Sequence, residues 1–111
     1  MKIEALQIGN ITVVAMSGRL DSTNAAAADT EVMQAIGASQ RVILDLAEVE
    51  YVSSAGLRIV LLVAKRLTAA HGKLVIAALN ANVYEVFEVS GFLKILKVTA
   101  DREAAVTLLE A

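Results

Sequence analysis

The sequence has 111 residues, 57% of them hydrophobic, and its ten basic and twelve acidic side chains give a formal net charge of −2. This length supports one compact domain over residues 1–111 with a substantial core, and it leaves too little chain for two domains. With no cysteine and a single histidine, the chain cannot form a disulfide framework, a thiolate metal site or a histidine cluster, and it lacks the clustered basic excess of a nucleic-acid binder.

No segment of the sequence is apolar for long enough to predict a membrane span. In the most apolar region, Arg58 and Lys65 leave only six apolar residues between them, and the first residues lack the apolar run of a secretory signal. We therefore expect a soluble, cytoplasmic protein with no metal, no cofactor and no direct membrane insertion.

The first third of the chain predicts a β-hairpin followed by a helix. Two apolar runs at 3–7 and 11–16 flank the turn residues Gly9 and Asn10. Asp21, Ser22 or Thr23 can then cap a helix that ends before Gly37, and the alanines at 25–28 favour that helix.

The rest of the chain predicts strands that alternate with helices. Residues 41–46 form a run rich in Val, Ile and Leu, which is typical of a buried central strand. A helix follows at 54–70, with an apolar face made of Leu57, Val60, Leu61, Ala64 and Leu67. The remaining predicted elements are a strand at 73–79, a helix at 83–89, a strand at 93–98 and a helix at 102–111. This order indicates an α/β fold with a mixed, mostly parallel sheet of about five strands and about four helices.

Ser53 and Ser54 lie between the predicted strand at 41–46 and the helix at 54–70. Loops at the carboxyl ends of parallel strands often hold functional residues. A hydroxyl at a helix start can cap the helix, or it can receive a phosphate, because the free N–H groups and the helix dipole favour negative charge there. The local pattern alone leaves both interpretations open for both serines.

The sequence around this loop resembles the signature of the STAS family, the fold of bacterial anti-sigma factor antagonists. The resembling segments are Leu44-Asp45-Leu46, Tyr51-Val52-Ser53-Ser54-Ala55-Gly56-Leu57, Gly18-Arg19-Leu20-Asp21 and Phe87-Glu88-Val89-Ser90-Gly91-Phe92. When the family signature is aligned on Gly56, its phosphoacceptor falls on Ser54, and Ser53 is the alternative. Ser53 stands where sporulation-type members often have an acidic residue, and Ala55 stands where a serine or threonine often follows.

Three further residues are candidates for partner contact beside the two serines. Asp21 is first a predicted helix cap, and the resemblance implies that its loop lies near the phosphoserine helix. Gly56 lets the first helical turn approach a neighbouring loop or a partner closely, because it has no Cβ. Arg58 follows Ser54 by four residues and therefore shares its face of the helix, where it can reach a phosphate or an acidic partner group.

The other polar and aromatic residues predict structural roles. Asp45 interrupts an apolar strand and is expected to be a structural carboxylate near the serine loop. The four aromatic residues Tyr51, Tyr84, Phe87 and Phe92 are expected in the core. Asp21 and Asp45 could be considered as a catalytic or Mg²⁺ pair, but no glycine-rich phosphate loop and no nearby histidine base accompany them.

The resemblance implies a regulator and not an enzyme. It implies a protein that binds an anti-sigma factor with serine-kinase activity, loses that binding when Ser54 is phosphorylated, and is reset by a phosphatase. The alternatives are a STAS subunit of a lipid-transport or stressosome-like complex and, from another class, a small nucleotide-hydrolysing enzyme.

Overall fold

A computed structural model describes residues 1–110 as a five-stranded sheet with helices on both faces. The strands lie side by side in chain order; the first pair is antiparallel and the other three pairs are parallel. The elements are β1 (Lys2–Ile8), β2 (Ile11–Leu20), α1 (Ala25–Ile36), β3 (Arg41–Val52), α2 (Ser54–Ala69), β4 (Lys73–Ala77), α3 (Ala81–Val89), a 3₁₀ turn (Phe92–Lys94), β5 (Lys97–Thr99) and α4 (Arg102–Glu110). The predicted α/β fold with a mostly parallel sheet is confirmed.

Alternate residues of the central strands face two different helix layers. In β3, Val42 and Leu44 join the core beneath α1, α2 and α3, whereas Ile43 joins Ala105 and Leu109 of α4. The larger core therefore lies between the sheet and the first three helices, and α4 covers the opposite face alone. None of the helices in residues 1–110 has both the length and the apolar character needed to cross a membrane.

Strands β2 and β3 extend further than predicted, and this changes the place of Asp45. Of residues 47–52 only Val49 and Val52 are buried, three positions apart, whereas Glu48 and Glu50 are exposed. The strand continues to Val52 because the last residues of β2 pair with it, and two irregularities in that pairing, at Ala15/Ser17 and Gly18/Arg19, disturb the regular two-residue alternation. Asp45 consequently lies in the middle of the strand and not at the end that leads into the serine loop.

The predicted strand at 93–98 is wrong for most of its length. Gly91 adopts a left-handed conformation with φ 81°, and a 3₁₀ turn follows it. The ring of Phe92 meets that of Phe87 edge-on with 6.5 Å between the centroids. This segment is apolar because its side chains pack on the core from a turn, and the regular strand is limited to Lys97–Thr99.

Helix α2 buries a broader face than predicted. Leu57, Val60 and Leu67 are buried as expected, but Ile59 and Val63 are buried as well. Leu61 and Ala64 are only half-buried. The buried arc is shifted because α2 packs against α1 as well as against the sheet.

Candidate functional site

The two adjacent serines at the start of α2 occupy different positions. Ser53 precedes the helix in an extended conformation, and its hydroxyl accepts the N–H of Gly56 at 3.2 Å. Its own N–H donates to the carbonyl oxygen of Leu20 at the end of β2, at 2.9 Å. Ser53 is therefore the N-cap of α2 and is fixed to the neighbouring strand.

Ser54 is the first residue of the helix and is exposed. Among residues 1–110, no group forms a hydrogen bond with its hydroxyl, and the N–H groups of Ser54 and Ala55 have no acceptor. The Ser54 hydroxyl is thus free for chemistry or for contact, next to two unpaired amides at the positive end of the helix dipole.

Gly56 allows α2 to start directly against β2. A Cβ at this position would lie 2.8 Å from the carbonyl oxygen of Leu20, 2.9 Å from its Cγ and 3.0 Å from Cγ1 of Val52. Gly56 is buried, so the neighbour that it approaches closely is the end of β2 and not a partner protein. It positions the serines against the sheet.

The structure places Asp21 in a turn before α1 and not at the helix cap. Its carboxylate accepts the hydroxyl and the N–H of Thr23, whereas Asn24 is the residue that precedes the helix. These hydrogen bonds, above all that from the Thr23 hydroxyl, lower the pKa of the Asp21 carboxyl below its usual value. The turn follows Leu20 directly, so Asp21 lies beside the start of α2.

Arg58 is exposed one turn after Ser54, on the same face of α2. Within residues 1–110 its guanidinium takes part in no ion pair. It is therefore available to an anion at Ser54 or to an acidic group of a partner.

Helix α3 supplies one wall of an open groove that begins at Ser54, and the sequence analysis did not identify this wall. The groove has a volume of about 380 Å³ and also contains Leu57, Glu85, Val86 and Val89. Val89 is 81% exposed and adds apolar surface to this groove. The signal in the sequence is that α3 has more apolar residues than the buried pair Val83 and Phe87: Val86 is only partly buried and Val89 is exposed.

A second cleft continues this surface beyond α3. It shares Asn82 and Val86 with the first groove. Its wall contains Tyr51, with the guanidinium of Arg19 4.4 Å from the ring centroid. The side chain of Asn80 fixes the start of α3 beside it by bonding both Val49 and Val83.

The prediction that all four aromatic residues lie in the core is wrong for the two tyrosines. Phe87 is fully buried and Phe92 packs against the core, but Tyr51 is 40% exposed and Tyr84 is 44% exposed. Tyr51 lies on β3 in the wall of the second cleft, and Tyr84 lies on α3. An apolar ring with a polar hydroxyl is well suited to contact with a partner.

Asp45 has a structural position, as predicted, but not near the serines. Its carboxylate accepts the N–H of Ala47 at 3.0 Å and Nε of Arg102 at 2.8 Å, which ties β3 to α4. Asp45 and Asp21 belong to separate hydrogen-bond networks, and residues 1–110 contain no cluster of three metal-ligating side chains.

Comparison with known proteins gives a consistent result. The family model for the STAS domain matches residues 2–105. BtrV of Bordetella bronchiseptica, which is named for the role of anti-sigma factor antagonist, is 43% identical over 106 residues, covering 95% of this chain and 91% of BtrV.

Solved structures agree on the fold. An anti-sigma factor antagonist from Mycobacterium paratuberculosis superposes with a TM-score of 0.87 at 21% identity, covering 99% of this chain and 94% of that one. The anti-sigma factor antagonist SpoIIAA in its unphosphorylated form gives a TM-score of 0.73 at 18% identity, with 99% of both chains covered.

Proposed function

Because this chain belongs to the STAS domain family, we propose that it is an anti-sigma factor antagonist whose binding is controlled by phosphorylation of Ser54. Its partner is an anti-sigma factor with serine-kinase activity, in the cytoplasm, and a phosphatase restores the unmodified form. The domain acts through binding and not through catalysis. The 43% identity to BtrV, which extends over nearly the whole chain, supports the antagonist role.

The observation that supports phosphorylation at Ser54 is its free, exposed hydroxyl, next to a Ser53 hydroxyl that is engaged as the cap of α2. A kinase needs an accessible hydroxyl that can be presented without unfolding the helix. Modification of Ser53 would remove the cap of α2, whereas Ser54 can be modified with the cap in place.

The surroundings of Ser54 can hold a phosphate without loss of the fold. The unpaired N–H groups of Ser54 and Ala55 are donors to an anion, and Arg58 lies one turn further along the same face. A phosphate adds about −1.5 to −2 charges. The helix accepts this charge at its positive end.

The same phosphate is costly to a bound partner. Leu57, Val86 and Val89 offer an apolar groove to the partner, and Ser54 stands at its edge with Glu85 in the same groove. A partner packed there would have to bury the phosphate beside the carboxylate of Glu85, and the negative charge that exceeds the single positive charge of Arg58 is strongly unfavourable in a buried interface. Phosphorylation therefore ends the complex while the domain remains folded.

The experiment is phosphosite mapping with a serine-kinase anti-sigma factor from the same organism. After incubation with ATP, the unmodified protein and Ser53→Ala should carry phosphate on Ser54, and Ser54→Ala should carry none. Phosphate on Ser53 in the Ser54→Ala protein, together with its loss in Ser53→Ala, would assign the acceptor to Ser53 and contradict the proposal.

A further inference from the structure

Another groove, apart from the two near Ser54 and Tyr51, lies at the opposite end of α2, at the edge of the sheet formed by β4 and β5. It is a cavity of about 240 Å³, and its lining includes Ala64 and Thr68 of α2, Leu74 of β4, Leu108 of α4, and Ile95 and Leu96 between the 3₁₀ turn and β5. From Ser54 to Thr68 the rise of an α-helix spans about 20 Å. The groove is therefore separate from the surface around Ser54.

The groove exists because β5 is shorter than β4. Pairing between these strands begins at Val75, so Lys73 and Leu74 have no strand beside them at this edge. The N–H of Lys73 donates to Gln40 on the opposite side at 2.7 Å. Since successive residues of a strand alternate in direction, the N–H of Leu74 points toward the groove, where no residue of 1–110 accepts it.

Apolar side chains remain exposed around this unfilled space. Ile95 is 64% exposed and Leu108 is 41% exposed. The groove continues over Leu61 and Ala64. Both residues belong to the predicted apolar face of α2, but in the structure they are only half-buried.

The charge around the groove has one sign. Four of the five lysines in the sequence are here: Lys73 and Lys97 line the cavity, Lys65 lines its continuation, and Lys94 precedes Ile95 in the exposed turn. No acidic residue is among the described residues that line either part, although the chain as a whole has more acidic than basic residues. None of these lysines has an ion-pair partner within residues 1–110.

We propose that this groove binds an acidic segment of a partner protein, which inserts one large apolar side chain between α2 and α4. The lysines attract the acidic residues, and the cavity takes a single anchor of leucine size, as buried anchors do at protein interfaces. The free N–H of Leu74 can donate one hydrogen bond to a main-chain carbonyl oxygen of the segment. A lipid surface fits less well, because the apolar surface is concave and does not project. This inference does not depend on the proposed role of Ser54.

The test uses the full chain, labelled with ¹⁵N, and a capped peptide of six glutamates around a central leucine. Titration should shift the amide signals of Leu74, Ile95 and Lys97 while those of Ser54 and Val89 stay in place. Replacement of the central leucine by alanine should weaken binding at least about fivefold, in line with loss of an interface anchor. A rise from about 0.05 M to about 0.5 M salt should weaken it by a similar factor.

Matched variants separate the groove from general surface effects. Lys97→Glu and Ile95→Asn should each reduce peptide affinity at least about fivefold, because they remove the charge and the apolar contact. Lys2→Glu and Leu6→Asn make the same changes on β1, where Leu6 is 49% exposed, and should leave affinity unchanged. Unaltered thermal midpoints would show that all four variants are folded.

Three results would overturn the inference. One is equal binding of a peptide in which lysines replace the glutamates, and another is amide shifts that centre on Ser54 and Val89. The third is binding to phosphatidylglycerol vesicles that Lys97→Glu abolishes, in the absence of peptide binding, which would assign the surface to a membrane.

Discussion

At the start of α2 the hydroxyl of Ser53 is bonded to the helix and that of Ser54 is free. The two serines should therefore differ in their contribution to stability. Ser53→Ala should lower the free energy of unfolding by about 0.5–2 kcal/mol, because it removes an N-cap. Ser54→Ala removes no hydrogen bond and should stay within about 0.5 kcal/mol of the unmodified protein.

Urea denaturation of both variants measures this difference. Equal losses of stability would contradict the assignment of Ser53 as the cap. Ser54→Ala is also the variant that tests phosphorylation. An unchanged stability of Ser54→Ala would show that the phosphorylation test uses a normally folded protein.

Gly56 gives a second prediction for a single residue. In an open helix, Gly→Ala stabilises by up to about 1 kcal/mol. Here the added Cβ meets the carbonyl oxygen of Leu20 at 2.8 Å, and that oxygen is held by the N–H of Ser53. The contact is with backbone and cannot relax cheaply, so Gly56→Ala should destabilise by about 1–3 kcal/mol. A gain in the urea midpoint would show that β2 and α2 are further apart than described.

Among the elements, α4 covers its face of the sheet alone, and the ion pair between Arg102 and Asp45 anchors it. Arg102→Met leaves the nearly buried carboxylate of Asp45 without its charged partner, and we expect a loss of about 1–3 kcal/mol. The double variant with Asp45→Asn should lose less than the sum of the single changes. Lys2→Met, which breaks the exposed pair with Glu4, is the matched control and should leave the urea midpoint nearly unchanged, because exposed ion pairs contribute little to stability.

A double-mutant cycle in urea measures this coupling. If the single losses simply add, Asp45 and Arg102 do not stabilise each other, and α4 is held by Ala105 and Leu109 without help from charge.

The sequence predicted the elements best where one periodicity dominated. The helix at 54–70 is present because its apolar residues recur with the helical period, and the strand at 41–46 is present because its continuous run of Val, Ile and Leu is typical of a buried strand; glycines or serines mark the limits of the helix. The prediction of a strand at 93–98 is wrong for most of its length because Leu93 and Leu96 are apolar in order to pack on the core from a turn, and periodicity does not distinguish such a turn from a short strand.

The candidate site was predicted in part for a similar reason. A serine pair before a helix is visible in the sequence, and the family resemblance indicates Ser54. Which hydroxyl is bonded depends on the backbone angles of Ser53, and the groove with Val86 and Val89 depends on how α3 lies beside α2. These are tertiary facts that local sequence does not determine.

For the molecule as a whole, the position of Ser54 at the edge of a rigid unit determines what phosphorylation can do. Buried side chains hold α2 on the sheet along its length, and the Arg66–Asp29 ion pair joins it to α1. A phosphate at the first helical residue changes the charge of the surface without removing any of these contacts. The proposed switch is therefore a change of surface and not of fold.

Calorimetric titration against the kinase anti-sigma factor tests this account most directly. The unmodified protein and Ser54→Ala should bind with similar affinity, and Ser54→Asp should bind more weakly, because one carboxylate supplies about half the charge of a phosphate. The protein phosphorylated on Ser54 should lose at least about a hundredfold in affinity, as expected when excess negative charge is buried in an interface, while its thermal midpoint stays unchanged. Equal affinity of all four forms would contradict the account.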